Sequence, residues 1–212
     1  VEVSEDEAGE GMLETCVCAC GGRDVFVSSA GGLKAGGLEE MSVEDFAFVT
    51  KVNYTAFFIC TKYASRVMKL QHRFAPDYSM DIVQVNSKSG LEGSNKNFAY
   101  AGGKFGGIGL VASFAKELVA EKIKVNAVCP GNFYEGPLWS DPEKGLFRQY
   151  LEAGKVLGAE TIADVRDFYM SQVPMRRGCY PRDVARAIFD CMEQEYENGQ
   201  ASPVTGGQGK TQ

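Results

Sequence analysis

The chain has 212 residues, 44% of them hydrophobic, enough for one sizeable core, with a net charge of −6 and a pI near 5.0. That acidic balance excludes the basic stripe a nucleic-acid partner requires. No apolar run reaches the ~18 residues that cross a bilayer and no basic-then-apolar leader opens the chain, so no membrane partner is expected and a cytoplasmic protein is.

Val1 to Glu10 is acidic and reads as a solvated tail. Cys16, Cys18 and Cys20 alternate, which on a strand puts three sulfurs on one face. They lack the second ligand pair of a zinc site, so no metal is expected. Cys60, Cys129, Cys179 and Cys191 sit in apolar segments and read as core thiols of a reducing compartment. Thr15-Cys16-Val17-Cys18 has strand character, and Leu13 to Cys20 is expected to lie as a strand against the edge of the next one. Residues 1–23 thus read as an irregular or replacement N-terminal segment, and 24–212 as a single domain.

Asp24-Val25-Phe26-Val27-Ser28-Ser29, broken by Ala30-Gly31-Gly32, reads as a buried strand entering a loop. Ser42 then caps a helix with acids at Glu44 and Asp45. Apolar residues recur at Phe46, Val49, Val52, Ala56 and Ile59, so one or two helices fill 42 to about 71. His72, the only histidine, lies in a polar stretch and reads as a surface residue. A strand is expected from Asp81 to Val85, a long helix over 98–121 and a strand from Ile123 to Cys129. The segment 131–180 differs: it carries Pro137, Pro142 and Pro174, shows helical patterning near 143–152 and 161–171, and reads as a substrate lid. Pro181-Arg182-Asp183 opens a helix to about Tyr196, and Gln200 to Thr205 makes a last strand. Apolar strands alternating with long helices imply an α/β fold with a parallel sheet covered on both faces.

The chemistry centres on Tyr100 and Lys104, four apart on one face of a helix, with Ser87 thirteen residues upstream of the tyrosine. An ammonium ~4 Å from a phenol at an effective dielectric of about 20 is worth roughly 4 kcal/mol, enough to draw a pKa of ~10 toward neutrality. A tyrosine so tuned exchanges a proton with a substrate oxygen. Taken singly, Ser87 reads equally as a strand-end cap and Asn53 as a buried polar residue, and Tyr–Lys pairs at this spacing also arise by chance.

Taken together, Asn53 in Val52-Asn53-Tyr54, Ser87, Tyr100, Lys104 and Pro130-Gly131 after Val125 to Cys129 resemble the short-chain dehydrogenase/reductase family in order and spacing, over residues 24–208. Within it, Asn86 to Gly90, Lys104 to Leu110, Val173 to Cys179 and Val204 to Gln208 resemble dehydrogenases of phosphorylated sugar alcohols. The resemblance implies a truncated Rossmann-like, doubly wound sheet and NAD(P)-dependent interconversion of an alcohol and a carbonyl. It implies that Tyr100 exchanges the proton and that Lys104 tunes it and holds the nicotinamide ribose. Ser87 would bond the substrate oxygen and Asn53 would anchor a water. Pro130, Gly131 and Asn132 would border the nicotinamide, with Ser29, Ala30 and Gly31 near the adenosine, although the family often has Asn where Ser29 stands. It further implies a small-molecule substrate and a homo-oligomer, dimer or tetramer. Arg176 and Arg177 in the lid, with Lys88 after Ser87, are expected to meet a substrate phosphate.

Only 23 residues precede Asp24, too few for the two βαβ steps expected there, so the Gly-rich turn and helix N-terminus that hold a pyrophosphate are expected to be absent. Val1 in place of an initiating Met suggests an incomplete or processed chain. Gly103-Lys104-Phe105-Gly106-Gly107-Ile108-Gly109 fits the G-x-x-x-G-x-G pattern formally, but no apolar strand precedes it; its glycines read as close packing of a helix against a neighbouring backbone. The residue that selects the cofactor would follow an earlier strand, so NAD is expected with NADP left open. The rivals are a catalytically idle remnant acting through interactions, and a reductase of another carbonyl such as an acyl-thioester ketone or a steroid.

Overall fold

The computed structural model describes residues 3–209. Four of the apolar runs form strands: β1 (Val25–Ser28), β2 (Met80–Val85), β3 (Ile123–Pro130) and β4 (Ala201–Val204). They pair in that order, all parallel, with Val25 beside Asp81, Ile82 beside Val125 and Cys129 beside Pro203. Among the described residues β1 pairs only with β2.

Alternation along the central strands sends side chains to two covered faces. Ile82, Val125 and Ala127 join Phe57, Met68, Val111 and Leu118 from α3 (Ala56–His72) and α4 (Phe98–Leu118). Val83 and Val128 face the other way, onto Val184, Ala187, Ile188 and Cys191 of α8 (Pro181–Glu193). The expected α/β sheet with helices on both faces is therefore present. Ser42 caps α2 (Val43–Thr50), its Oγ accepting the Asp45 N–H at 3.0 Å. A five-residue π turn, Lys51–Thr55, then leads without a break into α3.

The N-terminal segment departs from expectation. Leu13 to Cys20 is no edge strand: Asp6–Cys20 is α1, a helix that ends at Gly21 in the left-handed conformation (φ 79°), whose N–H bonds Val17 O. Acids in the first turn and glycine just past the end are ordinary helix signals, and burial of Leu13 against α3 overrides the strand propensity of Thr15 to Cys18. Gly9 lets the helices close, since a Cβ there would stand 2.9 Å from Ile59 Cγ2. Nor are the acids a free tail: Glu5 pairs with Lys51, Asp6 with Lys62 (3.0 Å) and Glu10 with Arg66 (3.8 Å). On a helix Cys18 leaves the face that Cys16 and Cys20 share, and Cys18 and Cys20 are exposed.

The glycines of α4 also differ from expectation. Three of them meet side chains, not backbone: an added Cβ would lie 3.1 Å from Asn53 Cβ at Gly103, 2.8 Å from the Tyr54 ring at Gly106 and 2.7 Å from the Gln84 amide at Gly107. At Gly102 and Gly109 an added Cβ would meet nothing within 4 Å beyond the helix's own backbone among the described residues. The G-x-x-x-G-x-G run lies inside this helix and is not a phosphate loop.

Residues 131–180 hold α5 (Pro137–Ser140), α6 (Leu146–Glu152) and α7 (Ile162–Ser171) around a core of their own, built from Tyr134, Trp139, Phe147, Tyr150, Val165 and Val173. Edge-to-face ring pairs, Trp139 with Tyr150 at 5.7 Å and with Tyr169 at 5.1 Å, stiffen it.

Candidate active site

The carboxyl ends of the strands open into a cleft of about 820 Å³ with the 131–180 segment as one wall. Ser87 stands two residues past β2, and its position is set from beneath. Buried Asn86 donates from Nδ2 to Gln84 Oε1 (2.8 Å) and Lys104 O (3.0 Å), while its Oδ1 accepts the Ser87 N–H (2.8 Å). Ser87 Oγ accepts from the Ser89 N–H at 3.1 Å, leaving the hydroxyl proton to be donated elsewhere.

Tyr100 lies in the first turn of α4 and lines the cleft with Ser87, whose hydroxyl is near enough to pull the phenol pKa down. Lys104, one turn on, is 4% exposed; its Nζ stands 5.5 Å from the Tyr100 ring centroid and donates to Val85 O at 3.2 Å. Asn53 sits in the π turn, a local widening that recurs at functional positions. Its Nδ2 donates to Val49 O (2.8 Å) and Gly32 O (2.6 Å), and its buried Oδ1 has no hydrogen-bond partner among the described residues. A Cβ on Gly31 would lie 3.2 Å from that Oδ1 and 3.7 Å from Lys104 Nζ, so the loop after β1 passes over both. Asn53, Ser87, Tyr100 and Lys104 are thus brought together at one end of the sheet.

The other expected positions divide. Ser29, Pro130, Gly131 and Asn132 line the cleft, whereas Ala30 is exposed and outside its lining. Asn132 Nδ2 donates to the Tyr134 hydroxyl at 2.9 Å, and Gly131 also serves the sheet: its N–H bonds Val204 O (2.9 Å), and a Cβ would press on Thr205 Cα at 3.2 Å. Arg176 and Arg177 do not line the cleft. Arg177 is held by Asp183 (2.6 and 3.2 Å) and stacks on Tyr180, while Arg176 donates to Ser171 O, so neither charge is presented to a substrate beside Ser87. Trp139, Tyr150, Tyr169 and Lys155 complete the wall and were not singled out from the sequence. The three aromatics lie in the aromatic-rich segment 131–180, which is their signal in the sequence; Lys155, a lone cation past a helix end, carried none.

Burial governs the titrations. It pushes the Tyr100 phenol up, with the Ser87 hydroxyl opposing, and lowers Lys104 to about 8. The upward direction for Tyr100 reverses the sequence expectation, because desolvation of the buried phenol is the largest influence on it and the Ser87 hydroxyl only partly opposes it. Buried Cys129 is pushed up to about 11 and stays a thiol.

A parallel sheet with a Ser, a Tyr and a Lys one turn beyond it at its carboxyl ends defines a class, and the family model described as short chain dehydrogenase matches residues 1–141. The chain belongs to the short-chain dehydrogenase family of oxidoreductases. It is 34% identical over 190 residues to sorbitol-6-phosphate 2-dehydrogenase of Escherichia coli (strain K12), an alignment covering 87% of this chain and 67% of that protein. It is 30% identical over 210 residues to 3-oxoacyl-[acyl-carrier-protein] reductase FabG of Thermotoga maritima, covering 98% and 74%. Among solved structures, sorbitol-6-phosphate 2-dehydrogenase SrlD from Erwinia amylovora superposes with a TM-score of 0.89 at 31% identity, covering 100% of this chain and 78% of that one. ElxO with NADP bound superposes with a TM-score of 0.77 at 25% identity, covering 98% and 76%. No helix among the described residues is long and apolar enough to cross a membrane.

Proposed function

We propose that this protein interconverts an alcohol and a carbonyl on a sugar alcohol phosphate such as sorbitol 6-phosphate, with NAD as the favoured hydride carrier and NADP as the alternative. The single observation that carries this reading is that Ser87 and Tyr100 line one cleft at the carboxyl ends of the strands, with Lys104 beside the Tyr100 ring and, with Asn53, beneath the Gly31 loop. The likeness to sorbitol-6-phosphate 2-dehydrogenases supports the substrate.

The nicotinamide end of the cofactor fits here: Lys104 Nζ and the unpartnered Asn53 Oδ1 lie together under the Gly31 loop, a donor and an acceptor where a glycine leaves room. Among the described residues β1 does not pass by a tight Gly-rich turn into a helix N-terminus: residues 29–42 separate it from α2. When bound, the nicotinamide supplies the hydride acceptor or donor. Ser87 donates its free proton to the substrate oxygen and fixes it beside Tyr100. In oxidation the Tyr100 oxygen accepts the hydroxyl proton; in reduction it returns a proton to the carbonyl oxygen. Lys104 steadies the phenolate once it forms, and Asn53 Oδ1 offers the acceptor that would anchor a water linking Lys104 to solvent. Asn86 and Gln84 position Ser87 and the backbone of α4. Exposed Phe46, Phe58 and Phe105 on the outer face of α2 to α4 supply an apolar surface for a homo-oligomer, which light scattering would count.

The test is sorbitol 6-phosphate oxidation followed by NADH absorbance, repeated with NADP and with Tyr100→Phe. Turnover that survives Tyr100→Phe overturns the reading. The 30% identity with a 3-oxoacyl reductase over nearly the whole chain favours one competitor, an acyl-thioester ketone, and faster turnover of that substrate would replace the sugar phosphate.

A further inference from the structure

Although Arg176 and Arg177 are taken up elsewhere, the cleft does carry charge. Among the described residues that line it only Lys88 and Lys155 are charged, both cations, in a chain whose net charge is −6. They come from different segments of the chain. Lys88 follows Ser87 on the 3-10 turn Lys88–Gly90, and Lys155 follows α6 in the 131–180 segment. Lys155 Nζ lies 4.0 Å from the Tyr150 ring centroid and 3.4 Å from Ser94 Oγ. Among the described residues no carboxylate pairs with it, while Lys88 has Glu92 at 3.1 Å.

We propose that Lys88 and Lys155 form a clamp for a phosphate monoester on the substrate, with Ser94 as a further donor, placing the reacting carbon between Ser87 and Tyr100. This rests on the reading of the cleft as an alcohol–carbonyl site. Burial draws Lys155 down to about 8, and repulsion from the Lys88 ammonium adds to it. A dianion between them reverses that cost and supplies acceptor oxygens for two separate cations and a hydroxyl, which a carboxylate with two oxygens serves less well. The Tyr150 face holds the Lys155 ammonium by cation–π attraction, so it is aimed before substrate arrives. Glu92 keeps Lys88 from being an unpaired buried charge when the clamp is empty.

The test compares sorbitol 6-phosphate with sorbitol by calorimetry on the whole protein and on Lys155→Met, Lys88→Met and Lys155→Arg. The native protein is expected to prefer the phosphorylated probe, each Met variant to lose about 10–100-fold of that preference, and Lys155→Arg to recover part of it. A preference absent from the native protein, or intact in both Met variants, overturns the clamp. If affinity for NADPH falls while the preference for sorbitol 6-phosphate holds, the lysines serve a cofactor phosphate and the proposal is likewise overturned. Turnover surviving Tyr100→Phe would sink the oxidoreductase reading alone, because the calorimetric comparison decides the clamp without turnover.

Discussion

Two buried lysines, one at each end of the sheet, are treated in opposite ways. Lys124, at the amino end of β3, stands 3.2 Å from Asp81 Oδ1 and donates to Cys191 O (2.8 Å) and Gln194 O (2.7 Å) as the last turn of α8 comes to a close. It satisfies carbonyls that the helix end leaves open and sits where the helix dipole favours a cation. Lys104, facing the carboxyl ends, has one carbonyl partner among its hydrogen bonds, Val85 O at 3.2 Å, and burial lowers it to about 8. The first lysine is surrounded by what its charge requires. The second is left short of partners beside a tyrosine, a serine and an unpartnered amide oxygen, the arrangement expected where a charge is to be completed by a ligand.

The largest expected effect breaks the functional end alone. Tyr100→Phe should lower turnover by about 10²–10⁴-fold, the usual weight of a positioned proton donor, with little change in urea midpoint. Lys124→Met should break the structural end: removing one partner of a buried pair costs about 3–5 kcal/mol, read as a lower urea midpoint, and Asp81→Asn in the same chain should restore part of it. Equal loss in a Lys104→Met variant would erase the distinction between the two ends.

Lys104→Met should instead gain stability at pH 7 while losing turnover. The folded pKa of about 8 lies below the ordinary lysine value of 10.5, so between those values the unfolded chain binds more protons and the native protein becomes more stable as pH rises. The penalty at pH 7 is on the order of 3 kcal/mol, and the variant's advantage should shrink across that window in urea titrations at several pH values. The smallest effect sharpens the packing side: Gly102→Ala, with open space around it, should stabilise α4 by about 0.5–1 kcal/mol. Gly107→Ala, pressed on the Gln84 amide at 2.7 Å, should destabilise and shift Ser87 through Asn86.

Most of the fold and the centre of the site were legible because their signals are local. The alternation of short apolar runs with long amphipathic ones placed all four strands and the helices over 42–71, 98–121 and 181–196, and the order of Asn53, Ser87, Tyr100 and Lys104 marked the residues that the fold brings together. Four-residue spacing put Tyr100 and Lys104 on one helical face regardless of anything distant. The rest depended on contacts between segments far apart in the chain. Thr15 to Cys18 prefers a strand by composition, yet Leu13 buried on α3 makes it a helix. The pKa direction of Tyr100 depends on how deeply tertiary packing buries its hydroxyl, a quantity that i,i+4 spacing does not contain. Arg176 and Arg177 looked like the phosphate cations until Asp183 and Ser171 claimed them, and Lys155 reached the cleft only because the 131–180 core turns its chain back toward Ser94. Sequence alone determined which residues have the chemistry and the local geometry for it; tertiary structure decided which of those charges stay unpaired, because desolvation and pairing are set by neighbours that only folding supplies.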